Sequence, residues 1–272
     1  MKARRPSSSL AGVLLLCLWG ATAVAQDLRG TASWLPGAFA EIDERIPQEP
    51  SAWPWRAVGR VNIANPIRAW HCTGTLVGPR LVLTAGHCLF DWRLRRWVEP
   101  GEVHFVAGQN GERNRGHSAA VQVTLAPDIR AVVESGMQPG KASHDWALIG
   151  LESELSIEPV PVKAIPSLEH LIKEVHGSEL ARPGYSASRR YALSIHRACL
   201  ATMTSILPGV LLNHCGAQPG DSGSPILLMR GDDVHVIGLN TARVQDAANG
   251  SELGVGPSAA GFVDSILAAS HR

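Results

Sequence analysis

Short apolar stretches broken by turn residues set the pattern of this chain. In its first half Ala57–Ile63, Gly74–Val77, Leu81–Thr84, Val103–Ala107 and Ala120–Leu125 are rich in Val, Ile, Leu and Ala, and Gly, Pro and Asn lie between them. Their brevity and punctuation predict strands rather than helices. The second half repeats the style in Tyr191–Ile195, Ala198–Thr204, Pro225–Leu228 and Val234–Asn240. The Pro-rich run 158–166 between the halves reads as a crossover, and Leu168–Val175 suits either a short helix or a strand. At the end of the chain Phe262, Val263, Ile266 and Leu267 recur at helical spacing, which predicts a helix within 259–272. The pattern predicts an all-β protein with lobes over 51–157 and 167–258.

The first residues change this picture. Lys2, Arg4 and Arg5 precede an apolar run, Leu10–Trp19, and then Ala23-Val24-Ala25. That order marks an export signal cleaved after residue 25. The run falls short of the roughly 20 residues a membrane span needs. Cleavage removes three basic groups and takes the formal charge from +1 to −2. Neither value points to nucleic acid or to an anionic membrane. Residues 26–50 show no period and read as a propeptide, an arm, or both. The expectation is a secreted or periplasmic protein, monomeric and free of the membrane once processed. Cys17 leaves with the signal, so Cys72, Cys88, Cys199 and Cys215 remain. In an exported chain they suit two disulfides, and four cysteines permit three connectivities. The local one, Cys72–Cys88 with Cys199–Cys215, closes one short loop in each half.

Three segments carry chemistry. In Gly220-Asp221-Ser222-Gly223-Ser224-Pro225 the glycines let the backbone turn sharply around a serine. A serine hydroxyl needs a base and donors for the developing oxyanion, and the N–H groups of Gly220 and Ser222 are candidates for the donors. In Leu81–Cys88 an apolar stretch runs into His87 beside a cysteine, the kind of anchored position a general base requires. In Ser143–Ile149 a carboxylate, Asp145, stands where an apolar strand begins. It suits the task of fixing an imidazole tautomer and stabilising the imidazolium.

Taken together, these segments resemble the trypsin/chymotrypsin superfamily, whose chain order of base, acid and nucleophile is His, Asp, Ser. The likeness is greatest to the bacterial branch that includes the glutamyl endopeptidases. It extends through Asp43-Glu44-Arg45, Trp53-Pro54-Trp55-Arg56-Ala57, Cys72-Thr73-Gly74-Thr75-Leu76, Pro183-Gly184-Tyr185 and the Cys199…Cys215 pair. The resemblance implies two antiparallel six-stranded β-barrels with a cleft between them, and a C-terminal helix. It assigns His87, Asp145 and Ser222 to catalysis, Gly220 and Ser222 to the oxyanion hole, and Gly216, Ala217, Asn240 and Thr241 to substrate binding. It implies a protein or peptide substrate and no cofactor. Asn240 stands where the glutamyl endopeptidases carry a histidine, and Gly216 where trypsin carries an aspartate, so neither acidic nor basic specificity transfers. Arg243 is close enough in sequence to add a positive charge near the subsites, which leaves an acidic preference open. Thr241 matches a residue that often bonds the catalytic aspartate. The resemblance also offers Asp221 a partner: an N-terminal amine freed by cleavage at Arg45-Ile46, with nearby backbone as the alternative.

Other readings stay open. His71-Cys72, His87-Cys88 and His214-Cys215 raise zinc, although no Cys-x2-Cys spacing supports it. A non-catalytic binding protein on a protease fold, or an esterase with the same triad, would share these motifs.

Overall fold

The computed structural model describes residues 46–134, 136, 139–197, 199, 201–203, 208–215, 217–245 and 252–270. The expected signal 1–25, the arm as far as Asp43-Glu44-Arg45, and Gly216 lie outside the described residues.

The first half carries β1 (Ile46–Pro47), β2 (Val58–Ala64), β3 (Ala69–Gly78), β4 (Leu81–Thr84), β5 (Phe90–Asp91), β6 (Arg96–Trp97), β7 (Val103–Ala107), β8 (Gly116–Leu125), helix α1 (Ile129–Glu134) and β9 (Ala147–Leu151). Six of its strands close into an antiparallel barrel in the order β2-β3-β4-β9-β8-β7. Val61, Ile63, Leu76, Val82, Leu83, Phe105 and Ile149 are buried within it. Closure leaves none of these six strands an open edge.

The second half carries α2 (Leu168–Val175), β10 (Glu179–Gly184), β11 (Ser194–Arg197), β12 (Ala201–Met203), β13 (Val210–Asn213), β14 (Ser224–Arg230), β15 (Asp233–Asn240), β16 (Ala242–Gln245), β17 (Glu252–Pro257) and α3 (Val263–Ser270). Its strands divide between two sheets, β1-β11-β10-β14-β15 and β12-β13-β17-β16. A bridge from Gly238 to Ser258 and a bond from Thr241 N–H to the Val255 carbonyl join them. The second lobe is thus barrel-like without a continuous ladder among the described residues.

The Pro-rich crossover is fastened to both halves. Val160 donates to the Leu76 carbonyl, while Lys163 and Val236 bond across to each other's segments. The ambiguous stretch is helix α2: Ser167 caps it by accepting from His170 N–H, and Leu171 is its buried contact. The expected C-terminal helix begins at Val263, with residues 259–261 as a 3-10 turn. Its anchors are Phe262 and Ile266, and Phe262 meets Trp146 edge-on at 6.2 Å.

Two strand expectations move. Tyr191 is half exposed beneath the Arg60 guanidinium, 4.6 Å from its ring centroid, so β11 starts only at Ser194. The run 198–204 is broken, with β12 limited to Ala201–Met203. Among the described residues no helix is long and apolar enough to cross a membrane.

Candidate functional site

Strand register brings His87 and Asp145 together. Strands β4 and β9 are neighbours, and Thr84 pairs with Ala147. His87 follows β4 by three residues and Asp145 precedes β9 by two, so both emerge at the same barrel rim. His87 Nδ1 lies 2.7 Å from Asp145 Oδ2, and the His87 backbone N–H donates to Oδ1 at 2.8 Å. This double contact uses both carboxylate oxygens and fixes the ring's tilt. Asp145 is fully buried, whereas the His87 side chain is 19% exposed. Burial draws the His87 pKa down, but the Asp145 charge and hydrogen bond outweigh it, leaving it above the usual imidazole value. Gly86 has no side chain for a reason of space: a Cβ there would meet Ile129 of α1 at 2.9 Å and the Trp146 carbonyl at 3.0 Å.

Ser222 reaches the site from the other lobe. It lies two residues before β14 and is partly exposed. Cys88 Sγ stands 3.9 Å from His87 Nε2 and 3.9 Å from the Ser222 carbonyl, so imidazole and serine flank one atom. Around Ser222, Asp221 N–H donates to the Gln218 carbonyl, Gly223 N–H to Asn240 and Ser224 N–H to Asp221. The N–H groups of Gly220 and Ser222 donate to no acceptor among the described residues. Gly220 has φ +93°, and a Cβ on it would meet the Tyr185 carbonyl at 2.5 Å and His71 Nε2 at 2.6 Å. Glycine is required there on both counts. His71 itself bonds the Tyr185 carbonyl through Nε2 at 2.9 Å, and burial lowers its pKa.

Asp221 has a partner that the sequence reading missed. Arg182 Nη1 lies 3.1 Å from Asp221 Oδ1, both side chains being fully buried, and Gln218 N–H donates to Oδ2 at 2.7 Å. In the uncut chain Ile46, the residue a cut at Arg45-Ile46 would free, pairs with Ile195 in β11 and is 50% exposed. The one available signal was an arginine inside the otherwise small and apolar run Leu180–Gly184.

The expected pocket residues divide. Ala217, Asn240 and Thr241 are buried, at 7%, 2% and 5% exposure. The Thr241 hydroxyl, between β15 and β16, donates to the Val255 carbonyl of β17 at 3.3 Å, and no bond from it to Asp145 is present among the described residues. Arg243 is engaged by Glu252, with Nη1 at 3.0 Å and 3.1 Å from the two carboxylate oxygens, so it is not a free cation. Asn213 was missed. Its Oδ1 accepts from Cys215 N–H at 3.1 Å, its Nδ2 has no partner among the described residues, and its carboxamide packs with that of Asn240 against Gly254.

Disulfides join Cys72 to Cys88 and Cys199 to Cys215, the local connectivity. Cys72, His87 and Cys88 are close enough together to suggest a metal site, but the two sulfurs are bonded to each other and offer no thiolate.

Comparison with known proteins fits this geometry. A family model described as Trypsin matches residues 42–266. Glutamyl endopeptidase of Bacillus licheniformis is 29% identical over 105 residues, 39% of this chain and 29% of that protein. The chain therefore spans well under two thirds of that relative's length. A solved Glu endopeptidase in complex with MPD superposes with a TM-score of 0.66 at 19% identity, covering 85% of this chain and 98% of the other. The thermostable serine protease AL20 from an extremophilic microorganism gives 0.61 at 19% identity, covering 80% and 98%. At that identity the two structures speak for the fold alone.

Proposed function

Because the chain belongs to the trypsin family, we propose that it is an exported serine endopeptidase in which His87, Asp145 and Ser222 act as the triad. The reading is supported by the His87–Asp145 pair at 2.7 Å, with Cys88 Sγ 3.9 Å from both His87 Nε2 and the Ser222 carbonyl, and by the Gly220 and Ser222 amides, which donate to no acceptor among the described residues. In this mechanism Ser222 attacks a peptide carbonyl while His87 takes its proton. Asp145 keeps the Nδ1–H tautomer and stabilises the imidazolium that forms. The tetrahedral oxyanion is received by the N–H groups of Gly220 and Ser222. His87 then protonates the leaving amine, and water releases the acyl group by the reverse sequence.

A peptide substrate is favoured over a simple ester by β16. This strand follows Thr241 and ends its sheet among the described residues, leaving an edge on which an extended chain can add as a further strand. The pocket proposed for the substrate side chain, at Ala217, Asn240 and Thr241, is lined by uncharged groups, and the Asn213 carboxamide adds a neutral donor beside it. Arg243 is held by Glu252, so the reading gives no preference for acidic residues or for Lys and Arg. Export rests on the signal-like start and on the two disulfides.

The test is cleavage of a peptide library by the processed protein, with Ser222→Ala as control. Expected is cleavage that the control loses, after residues that are neither basic nor acidic. Equal cleavage by the Ser222→Ala protein would end the proposal.

A further inference from the structure

Thr73 occupies a junction that the mechanism above leaves unused. It lies in β3 of the closed barrel and is fully buried. Its hydroxyl donates to the Gly220 carbonyl at 2.9 Å and accepts from Tyr185 N–H at 3.0 Å. A hydroxyl has one hydrogen, and an amide only donates, so the two bonds fix each other's direction. The Thr73 backbone N–H donates to the Ser222 carbonyl at 2.9 Å, and its own carbonyl accepts from Thr84 Oγ1 at 2.8 Å. One residue of the first lobe thus holds the carbonyls of both residues whose amides are proposed for the oxyanion.

The position of Thr73 gives those bonds a purpose. Cys72 precedes it and is bonded to Cys88, which follows His87. A continuous path therefore runs from the base, through the disulfide, to Thr73 and on to the nucleophile loop. Gly220, with φ +93° and no Cβ, has a backbone that nothing of its own restrains. The barrel reaches it through the Thr73 hydroxyl.

We propose that Thr73 is a positioning residue whose hydroxyl sets the oxyanion amides of the second lobe in register with the His87 base of the first. The inference rests on the peptidase reading. A residue acting this way supports the transition state more than the bound substrate, because the oxyanion forms only there.

The test compares Thr73→Val, which keeps the shape and removes the hydroxyl, with Thr73→Ser, which restores it. Thr75→Val is the control. Thr75 is buried on the same face of β3, and its hydroxyl has no partner among the described residues. The readouts are kcat and KM on a peptide substrate, and affinity for a peptide boronic acid whose adduct presents an anionic oxygen. Thr73→Val is expected to lower kcat by roughly 10- to 100-fold, below the 10²–10³ that outright loss of an oxyanion donor costs. KM should stay within about 2-fold, and boronate affinity should fall in parallel with kcat. Thr73→Ser and Thr75→Val are expected to match the wild type within a few-fold on both readouts. Should Thr73→Val fail to fold, Thr73→Ala, which removes bulk instead of replacing it, is read by the same criteria. Wild-type kcat and boronate affinity without the hydroxyl would overturn the inference, as would a loss that serine does not restore. An inactive wild type would defeat the peptidase reading instead.

Discussion

Strands β2–β4 and β7–β9 close on themselves, whereas the strands of the second half divide between a five-stranded and a four-stranded sheet. The site inherits this difference. His87 and Asp145 extend from neighbouring strands of one closed ladder, so backbone register alone nearly sets their distance. Ser222 lies between β13 and β14, which belong to different sheets, so no single register places it. Its loop takes backbone bonds from Thr73 N–H to the Ser222 carbonyl and from Gly223 N–H to Asn240, and buried side chains add to them: Arg182 on Asp221, and Thr73 on Gly220. His87 thus depends mainly on strand register within one ladder, and Ser222 on bonds between lobes in which buried polar side chains share. The second arrangement is the more sensitive to side-chain change.

Substitutions separate the two arrangements, from the largest effect downward. Ser222→Ala should lower kcat by about 10⁶, as removal of a triad nucleophile does elsewhere. Asp145→Asn should cost about 10⁴ in kcat while leaving the fold intact, because the amide keeps an oxygen for the His87 N–H and the barrel strands are unchanged. Steady-state kinetics beside a denaturant titration checks both. Arg182→Met leaves Asp221 buried and charged, and should destabilise by about 3–5 kcal/mol in a urea titration. The nucleophile loop should lose order with it. A cost near zero would show that the loop is not held by this pair.

The disulfides make a closer comparison, since each spans the same sequence separation, 16 residues. Removing either pair, as Cys72→Ser/Cys88→Ser or Cys199→Ser/Cys215→Ser, should cost roughly 3 kcal/mol of stability. Only the first lies on the path between base and nucleophile, so only the first should lower kcat in protein that remains folded.

The smallest effect is on pH. His87 must be neutral to accept the proton, and its pKa stands above 6.5 because the Asp145 charge outweighs burial. Activity should therefore fall as pH drops through a value above 6.5. Stability runs the other way: a raised pKa adds stability that is fully present below the unfolded value and lost as pH rises through the folded one. In Asp145→Asn burial acts alone, so the acid limb should move to lower pH. A pH profile of kcat/KM, paired with thermal melts, reads both trends.

Much of the site was legible because motif chemistry is local. A strand running into His87, a carboxylate at the head of β9 and a glycine-flanked Ser222 are each visible within eight residues. The barrel strands were legible as apolar runs, though β3 and β8 extend beyond them, to Ala69–Gly78 and Gly116–Leu125, through polar residues that only pairing reveals. What escaped was long-range or disguised. Strand β10 contains Glu179, Arg182, Pro183 and Gly184, which argue against a strand until Arg182 is seen paired with Asp221. Strand β13 is only four residues long, and its last, Asn213, looks like a turn residue. Thr73 lies just outside the apolar run Gly74–Val77, and only the approach of Gly220 from the other lobe shows what its hydroxyl meets.

Everything above depends on whether the imidazole at the barrel rim activates the serine that the second lobe presents. A fluorophosphonate, which reacts with an activated serine and leaves its phosphorus on that oxygen, reports this directly. Incubated with the processed protein and mapped by mass spectrometry, it is expected to modify Ser222 alone, and to do so far more slowly in His87→Ala. Failure to label Ser222 in folded, disulfide-intact protein, or labelling unaffected by loss of the imidazole, would contradict the account.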